Sequence, residues 1–221
     1  MRTALPHSHL RSIAFVSCVL LFAAPILGAQ PTDGGLPPQA RTAPDPRPVL
    51  LVYSQHRLSP EEWAALFTAL HTALPEAAAE LPARDTNPEF IRGDYHPEEN
   101  PDGGVVTVYL RGDCRASVQR VPISGPVRLG WVNQVDGRIL PIIHVECTEI
   151  GEEISGRTHW MSRNERTAAM SEAIARVVLH EWVHVATQSA AHGANGLSKA
   201  QFGVNDLLCG EQARNCGPDF R

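Results

Sequence analysis

The chain contains no Cys-x-x-Cys pair, which argues against a thiolate zinc site. It has no basic cluster, and a formal net charge of -5 gives it no electrostatic footprint for nucleic acid. There is no internal repeat and no low-complexity block beyond one short proline- and glycine-rich segment near the N-terminus. Its longest apolar stretch, Ile13 to Leu27, is too short for a comfortable membrane span. These absences exclude a nucleic-acid partner and a stable membrane span after export, and they direct attention to a compact catalytic or binding domain.

The N-terminus has the layout of a secretory signal over residues 1–29. Arg2 and Arg11 form a short basic region, Ile13 to Leu27 is apolar, and Gly28-Ala29-Gln30 supplies small residues for cleavage near Ala29. Cys18 lies inside the apolar stretch rather than at its end, which argues against a lipoprotein anchor. Cleavage would remove two arginines and no acid, making the remaining chain more acidic. The expected location is the periplasm or the medium. Residues 30–46 read as a flexible Pro/Gly-rich leader, and residues 47–221 are long enough for one domain with its own core.

Export to an oxidising compartment suits the remaining cysteines, Cys114, Cys147, Cys209 and Cys216. Three pairings are possible. Cys114–Cys147 would join neighbouring strands and Cys209–Cys216 would close the C-terminal tail, and this is the preferred scheme.

Within the domain, Pro48 to Tyr53 is a short apolar run that suits a central strand. Ser59-Pro60-Glu61-Glu62 carries a capping serine, a proline at the first helical position and a glutamate three residues after the serine, opening a helix through Trp63, Leu66, Leu70 and Leu74. Asp85 to Gly104 reads as a long surface loop. Val105 to Leu110 is a second strand, and Val127 to Asn133 with Ile139 to Cys147 flank Asp136-Gly137 as a hairpin. Asn164 or Ser162 caps a long helix running to about Ser189. The expected architecture is α+β, with a mostly antiparallel or mixed sheet packed on that helix.

The long helix carries His180-Glu181-Trp182-Val183-His184. Histidines four apart lie on one helix face, about 40° apart around the axis, so both imidazoles can reach one cation. Glu181 then stands beside the point where a metal-activated water would sit, the arrangement of a zinc hydrolase. The pattern fixes only three positions and arises by chance, so its surroundings matter. Ala173 to Ala186 is apolar almost all round, which implies a buried helix. Buried histidines and a buried glutamate cost several kcal/mol unless paired, and a divalent cation would satisfy all three. A catalytic zinc needs a third protein ligand. His192 follows the expected helix end, and Gly193 and Gly196 let the chain turn back there; Asp206 is the alternative ligand, or a carboxylate holding a histidine by its far nitrogen. Nothing in their spacing recruits His144 or His159.

The stretch from His180 to Leu208, HEWVHVATQSAAHGANGLSKAQFGVNDLL, resembles the active-site region of small secreted bacterial zincins related to the metzincins. His192, Gly196-Leu197 and Asp206-Leu207 fall where those proteins carry a third histidine, a Gly-Leu pair and an Asp-Leu pair. The resemblance implies a zincin-like fold, His180, His184 and His192 as zinc ligands and Glu181 as the catalytic base. It also implies a strand beside the cleft, near Leu129 to Val132, that holds an extended peptide or protein substrate by strand addition. The chain departs from the metzincin pattern in three places. The third histidine usually falls where this chain has Ala190, a helix-ending glycine where it has Thr187, and a methionine where it has Ser198; no methionine follows His192. The expectation is therefore a zinc-dependent peptidase. Two others stand beside it: a zinc-holding binding protein with weak or lost catalysis, and a disulfide-stabilised structural domain whose motif is accidental.

Overall fold

The computed structural model describes residues 47–94, 104–116 and 128–209, all within one compact unit, Thr42–Arg221. The expected signal and leader, residues 1–46, and Cys216 lie outside the described residues. The elements run β1 (Val49–Ser54), α1 (Pro60–Ala78), β2 (Glu89–Arg92), β3 (Val105–Arg111), β4 (Gly130–Val135), β5 (Arg138–Glu146), α2 (Cys147–Thr158), α3 (Arg163–Thr187) and α4 (Val204–Cys209). Among the described residues, no helix is long and apolar enough to cross a membrane.

The fold is α+β, built on a five-stranded mixed sheet of order β2-β1-β3-β5-β4. The largely antiparallel alternative does not hold: β1 runs parallel to β2 and β3, β3 runs parallel to β5, and only β4 is antiparallel. The reason lies in the connections. Among the described residues, only Asp136-Gly137 makes a two-residue turn, with φ of 50° and 77°, the pair of positive values that such a hairpin requires. The connection from β1 to β2 instead contains α1, which returns the chain to the same end of the sheet and so yields a parallel pair.

Two elements were not anticipated. β2 falls in the segment expected to be a surface loop; it is four residues long and only Phe90 is buried, too little for an alternating pattern. α2 follows β5 directly. Its N-cap, Glu146, makes no side-chain capping bond, and it contains Gly151 and Gly156, so start signals are missing. Its buried Cys147, Ile150, Ile154 and Thr158 nonetheless follow helical spacing.

The core forms where alternate strand residues meet the helices. Leu50, Val52, Val106, Val108, Leu110, Ile143 and Val145 join Leu66 and Leu70 of α1 and the apolar faces of α3 in one cluster. α1 begins with the expected capping box on Ser59 and Glu62. α3 begins with a second one, on Ser162 and Glu165 rather than on Asn164, and is buried from Ala173 through Val185. The helix stops at Gln188, whose φ of 53° is left-handed. Its side chain compensates for the missing glycine: its Oε1 accepts from the Ile139 amide at 3.1 Å, and its Nε2 donates to the Ile139 carbonyl at 3.0 Å. That clasp ties the end of the motif helix to the sheet. The disulfide Cys114–Cys147 is present and joins the segment after β3 to the first residue of α2.

Candidate metal centre

The helix brings His180 and His184 to one face, and the following loop folds back to add His192. Nε2 of His184 lies 3.1 Å from Nε2 of His180 and 3.2 Å from Nε2 of His192. The far nitrogens are occupied: Nδ1 of His184 donates to the Ser189 carbonyl at 2.6 Å, and Nδ1 of His180 donates to the Leu197 carbonyl. With those protons committed, both helical histidines turn a bare Nε2 lone pair inward. Two such lone pairs about 3 Å apart repel unless a cation lies between them. Nitrogens around a tetrahedral zinc, at about 2.0–2.1 Å each, are about 3.3 Å apart, close to the spacing seen here. The three residues therefore fit one divalent ion, and the carbonyls supply the orienting bonds that metal-binding histidines ordinarily have.

Burial sets the charge states. His180 is 7% exposed, and burial pushes its pKa down to about 4, against the bond to Leu197 and with the nearby His184 and His192 adding to the effect. It is neutral, as a metal ligand must be. Glu181 is 5% exposed, and burial pushes its carboxyl up to about 8, with the charge of Arg128 pulling the other way. Its Oε1 is 4.0 Å from Nε2 of His180, beside the nitrogen cluster rather than within it. At neutral pH this carboxyl holds its proton, and a cation among the neighbouring imidazoles would favour its ionised, proton-accepting form.

β4 forms the wall on the other side. A Cβ built on Gly130 would stand 2.9 Å from Oε1 of Glu181 and 2.6 Å from Cγ1 of Val177, so the strand reaches the carboxylate only because this residue is glycine. Among the described residues β4 pairs only with β5, leaving its outer edge toward a cavity of about 720 Å³ lined by Gly130, Trp131, Glu181, His192 and Phe202. The strand expected at Leu129 to Val132 is thus in place, one residue later at its start.

The other candidates separate clearly. Asp206 is engaged elsewhere and does not join the histidine group: its Oδ2 accepts from Nζ of Lys199 at 2.6 Å and from the Gly203 amide at 2.9 Å. His159 sits at the end of α2, and its Nδ1 contacts the Gly156 carbonyl. His144 stacks between Tyr109 and Trp131 on the sheet. Fully buried Leu197 and the ring of Phe202, whose centroid lies 5.2 Å from that of His180, pack beside the histidines. The sequence reading missed Gly130, Arg128 and the two orienting carbonyls. A glycine inside an apolar strand signals close backbone approach; nothing in a sequence marks a carbonyl. No protein-family model, curated protein or solved structure matches the chain.

Proposed function

We propose that this protein is a secreted zinc-dependent peptidase of zincin-like fold. The observation that carries the reading is the convergence of three histidine Nε2 atoms next to a buried carboxyl group that a cation among them would hold ionised, in a cleft bordered by a sheet edge. Three imidazoles with room for a further ligand are a donor set that suits a catalytic zinc. Held by His180, His184 and His192, the ion would supply Lewis acidity to the scissile carbonyl and lower the pKa of a water.

The remaining chemistry belongs to the chain. The outer edge of β4 offers backbone N–H and C=O groups to an extended peptide, fixing its register across the cleft. Glu181 accepts a proton from the attacking water as the water oxygen adds to the carbonyl carbon. It then gives that proton to the amine nitrogen as the C–N bond breaks. Gly130 keeps the strand close enough to hold the peptide carbonyl next to this carboxylate.

Bound metal per chain, measured for the wild type and for His192→Ala, tests the site, and hydrolysis of a peptide library by wild type and Glu181→Gln tests the chemistry. One zinc per wild-type chain, sharply weakened in His192→Ala, and hydrolysis abolished in a Glu181→Gln protein that still holds metal are the expected results. Equal metal in wild type and His192→Ala, or wild-type hydrolysis by Glu181→Gln, would overturn the assignment. Stoichiometric zinc without cleavage of any peptide would transfer the chain to the binding-protein alternative.

A further inference from the structure

The cleft has an uneven charge. Its lining includes two cations, Lys199 and Arg128. Lys199 is engaged by Asp206 at 2.6 Å, so its charge is compensated on the spot. Arg128 is exposed, and none of the ion pairs among the described residues includes it. Glu153 of α2 also lines the cavity and forms no ion pair with Arg128, so a full positive charge remains at the β4 rim.

The location of that charge matters as much as its freedom. Arg128 lies two residues before Gly130, the residue that abuts Glu181. Two residues of extended chain span about 6.6 Å, so a peptide running along β4 would pass Arg128 within about two residues of its scissile bond. The guanidinium is also placed rather than loose: its carbon lies 5.9 Å from the Trp131 ring centroid, while Arg111, paired with Glu146 at 3.1 Å, meets the same ring at 5.4 Å. A guanidinium over an indole keeps its N–H edge available, and that edge matches a carboxylate with two parallel hydrogen bonds.

We infer that Arg128 is a specificity-determining residue that binds a carboxylate of the substrate within about two residues of the scissile bond, so that the protein acts on acidic peptides. The inference rests on the peptidase reading of the same cleft. The carboxylate has two possible sources, an Asp or Glu side chain or the free C-terminus of the peptide, and they share one recognition chemistry.

The test uses the mature, zinc-loaded chain carrying Glu181→Gln, which permits binding without turnover. Its probes are hexapeptides blocked at both ends that differ only in carrying Glu, Gln or Lys at one position, scanned along the peptide. The Gln peptide with a free C-terminus is the fourth probe. In fluorescence anisotropy competition, the preferred carboxylate peptide should bind about tenfold more tightly than its blocked Gln counterpart. Tighter binding of the Glu peptides assigns the side chain; tighter binding of the free C-terminus assigns the terminal carboxylate. Adding Arg128→Gln should erase the preference and Arg128→Glu should reverse it towards Lys, with zinc content unchanged. The preference should also shrink in 1 M salt. Equal binding of charged and neutral peptides, or a carboxylate preference that survives Arg128→Gln, would overturn the inference. Wild-type hydrolysis with no charge preference would refute this inference alone, whereas a metal-loaded protein that binds no peptide would refute both readings.

Discussion

Glu181 makes a prediction about the metal-free protein that needs no substrate. Its carboxyl has an ordinary pKa of 4.5 and is pushed up to about 8 in the folded chain, so between those values the folded state holds a proton that the unfolded state has released. Stability changes with pH in proportion to the protons bound by the unfolded state minus those bound by the folded state, so here it falls as pH rises and levels off above about 8. His180 acts in the opposite sense, since its pKa moves from 6.5 down to about 4, but its contribution is complete once pH exceeds 6.5. His144 and His192 are also lowered, so their contributions too lie below the ordinary histidine value. From pH 6.5 to 8 Glu181 therefore dominates the slope, with Glu149 and Glu172, whose carboxyls burial also raises, acting in the same sense; at about 1.4 kcal/mol per pH unit its share amounts to about 2 kcal/mol. For a domain of this size that is a fall in Tm of about 4–8 °C. Thermal unfolding followed by circular dichroism in excess chelator, at half-unit pH steps, would measure it. Glu181→Gln cannot ionise and should flatten the curve in this window, and saturating zinc should flatten it in the wild type by favouring the ionised carboxylate. Parallel curves for chelated wild type and Glu181→Gln would refute the burial argument.

Three further outcomes follow from particular contacts. Gly130→Ala would place a methyl group 2.6 Å from Val177 and 2.9 Å from Glu181, costing about 1–3 kcal/mol in thermal unfolding. With the carboxylate displaced, kcat should fall about 100-fold while bound zinc stays at the wild-type level. Glu76→Ala removes both carboxylate contacts, at 2.7 and 2.8 Å, from an Arg176 side chain that is 5% exposed; urea unfolding should register a loss of about 3–5 kcal/mol, and most of it should return in Glu76→Leu with Arg176→Met. Asp206→Asn breaks a partly exposed pair with Lys199, so it should cost at most about 1 kcal/mol and leave metal content unchanged; a large drop in bound zinc would restore Asp206 as a ligand.

Much of this site was legible in the sequence because its signals are local. Two histidines four apart on an apolar helix fix a shared face, and the capping boxes at Ser59 and Ser162 fix where two helices begin. The Asp136-Gly137 turn fixes the only hairpin among the described strands, and with it the edge strand that borders the cleft. What the sequence could not show is non-local. Strand direction across β2, β1, β3 and β5 depends on where α1 and the longer connections deliver the chain, and no residue within a strand records that. β2 is too short to show a period, and α2 lacks a capping side chain. The free charge of Arg128 appears only once Lys199 is seen to be occupied by Asp206.

The spacing of the third histidine, two residues later than the metzincin pattern, has a structural cause in the way α3 ends. The helix continues through Thr187, where that pattern has its terminating glycine, and stops at Gln188 because the side chain of that residue clasps Ile139. The chain therefore leaves the helix later, and the imidazole that closes the cluster is His192 rather than a side chain at residue 190. The segment that follows has two tasks. It delivers His192, and through the Ser189 and Leu197 carbonyls it also fixes the tautomers of His184 and His180. Its shape is held by the Gly193 amide donating to the Ser198 carbonyl at 2.8 Å and by Oγ of Ser198 donating to the Asn195 carbonyl at 3.0 Å. A serine at 198 thus secures the loop, while buried Leu197 and the Phe202 ring give His180 apolar neighbours. An accidental motif would need none of this, because unrelated loop carbonyls have no reason to bind the outer nitrogen of both helical histidines while a third imidazole meets their inner ones. A cation among the inner nitrogens is the shared cause that the proposed metal site assigns to all three.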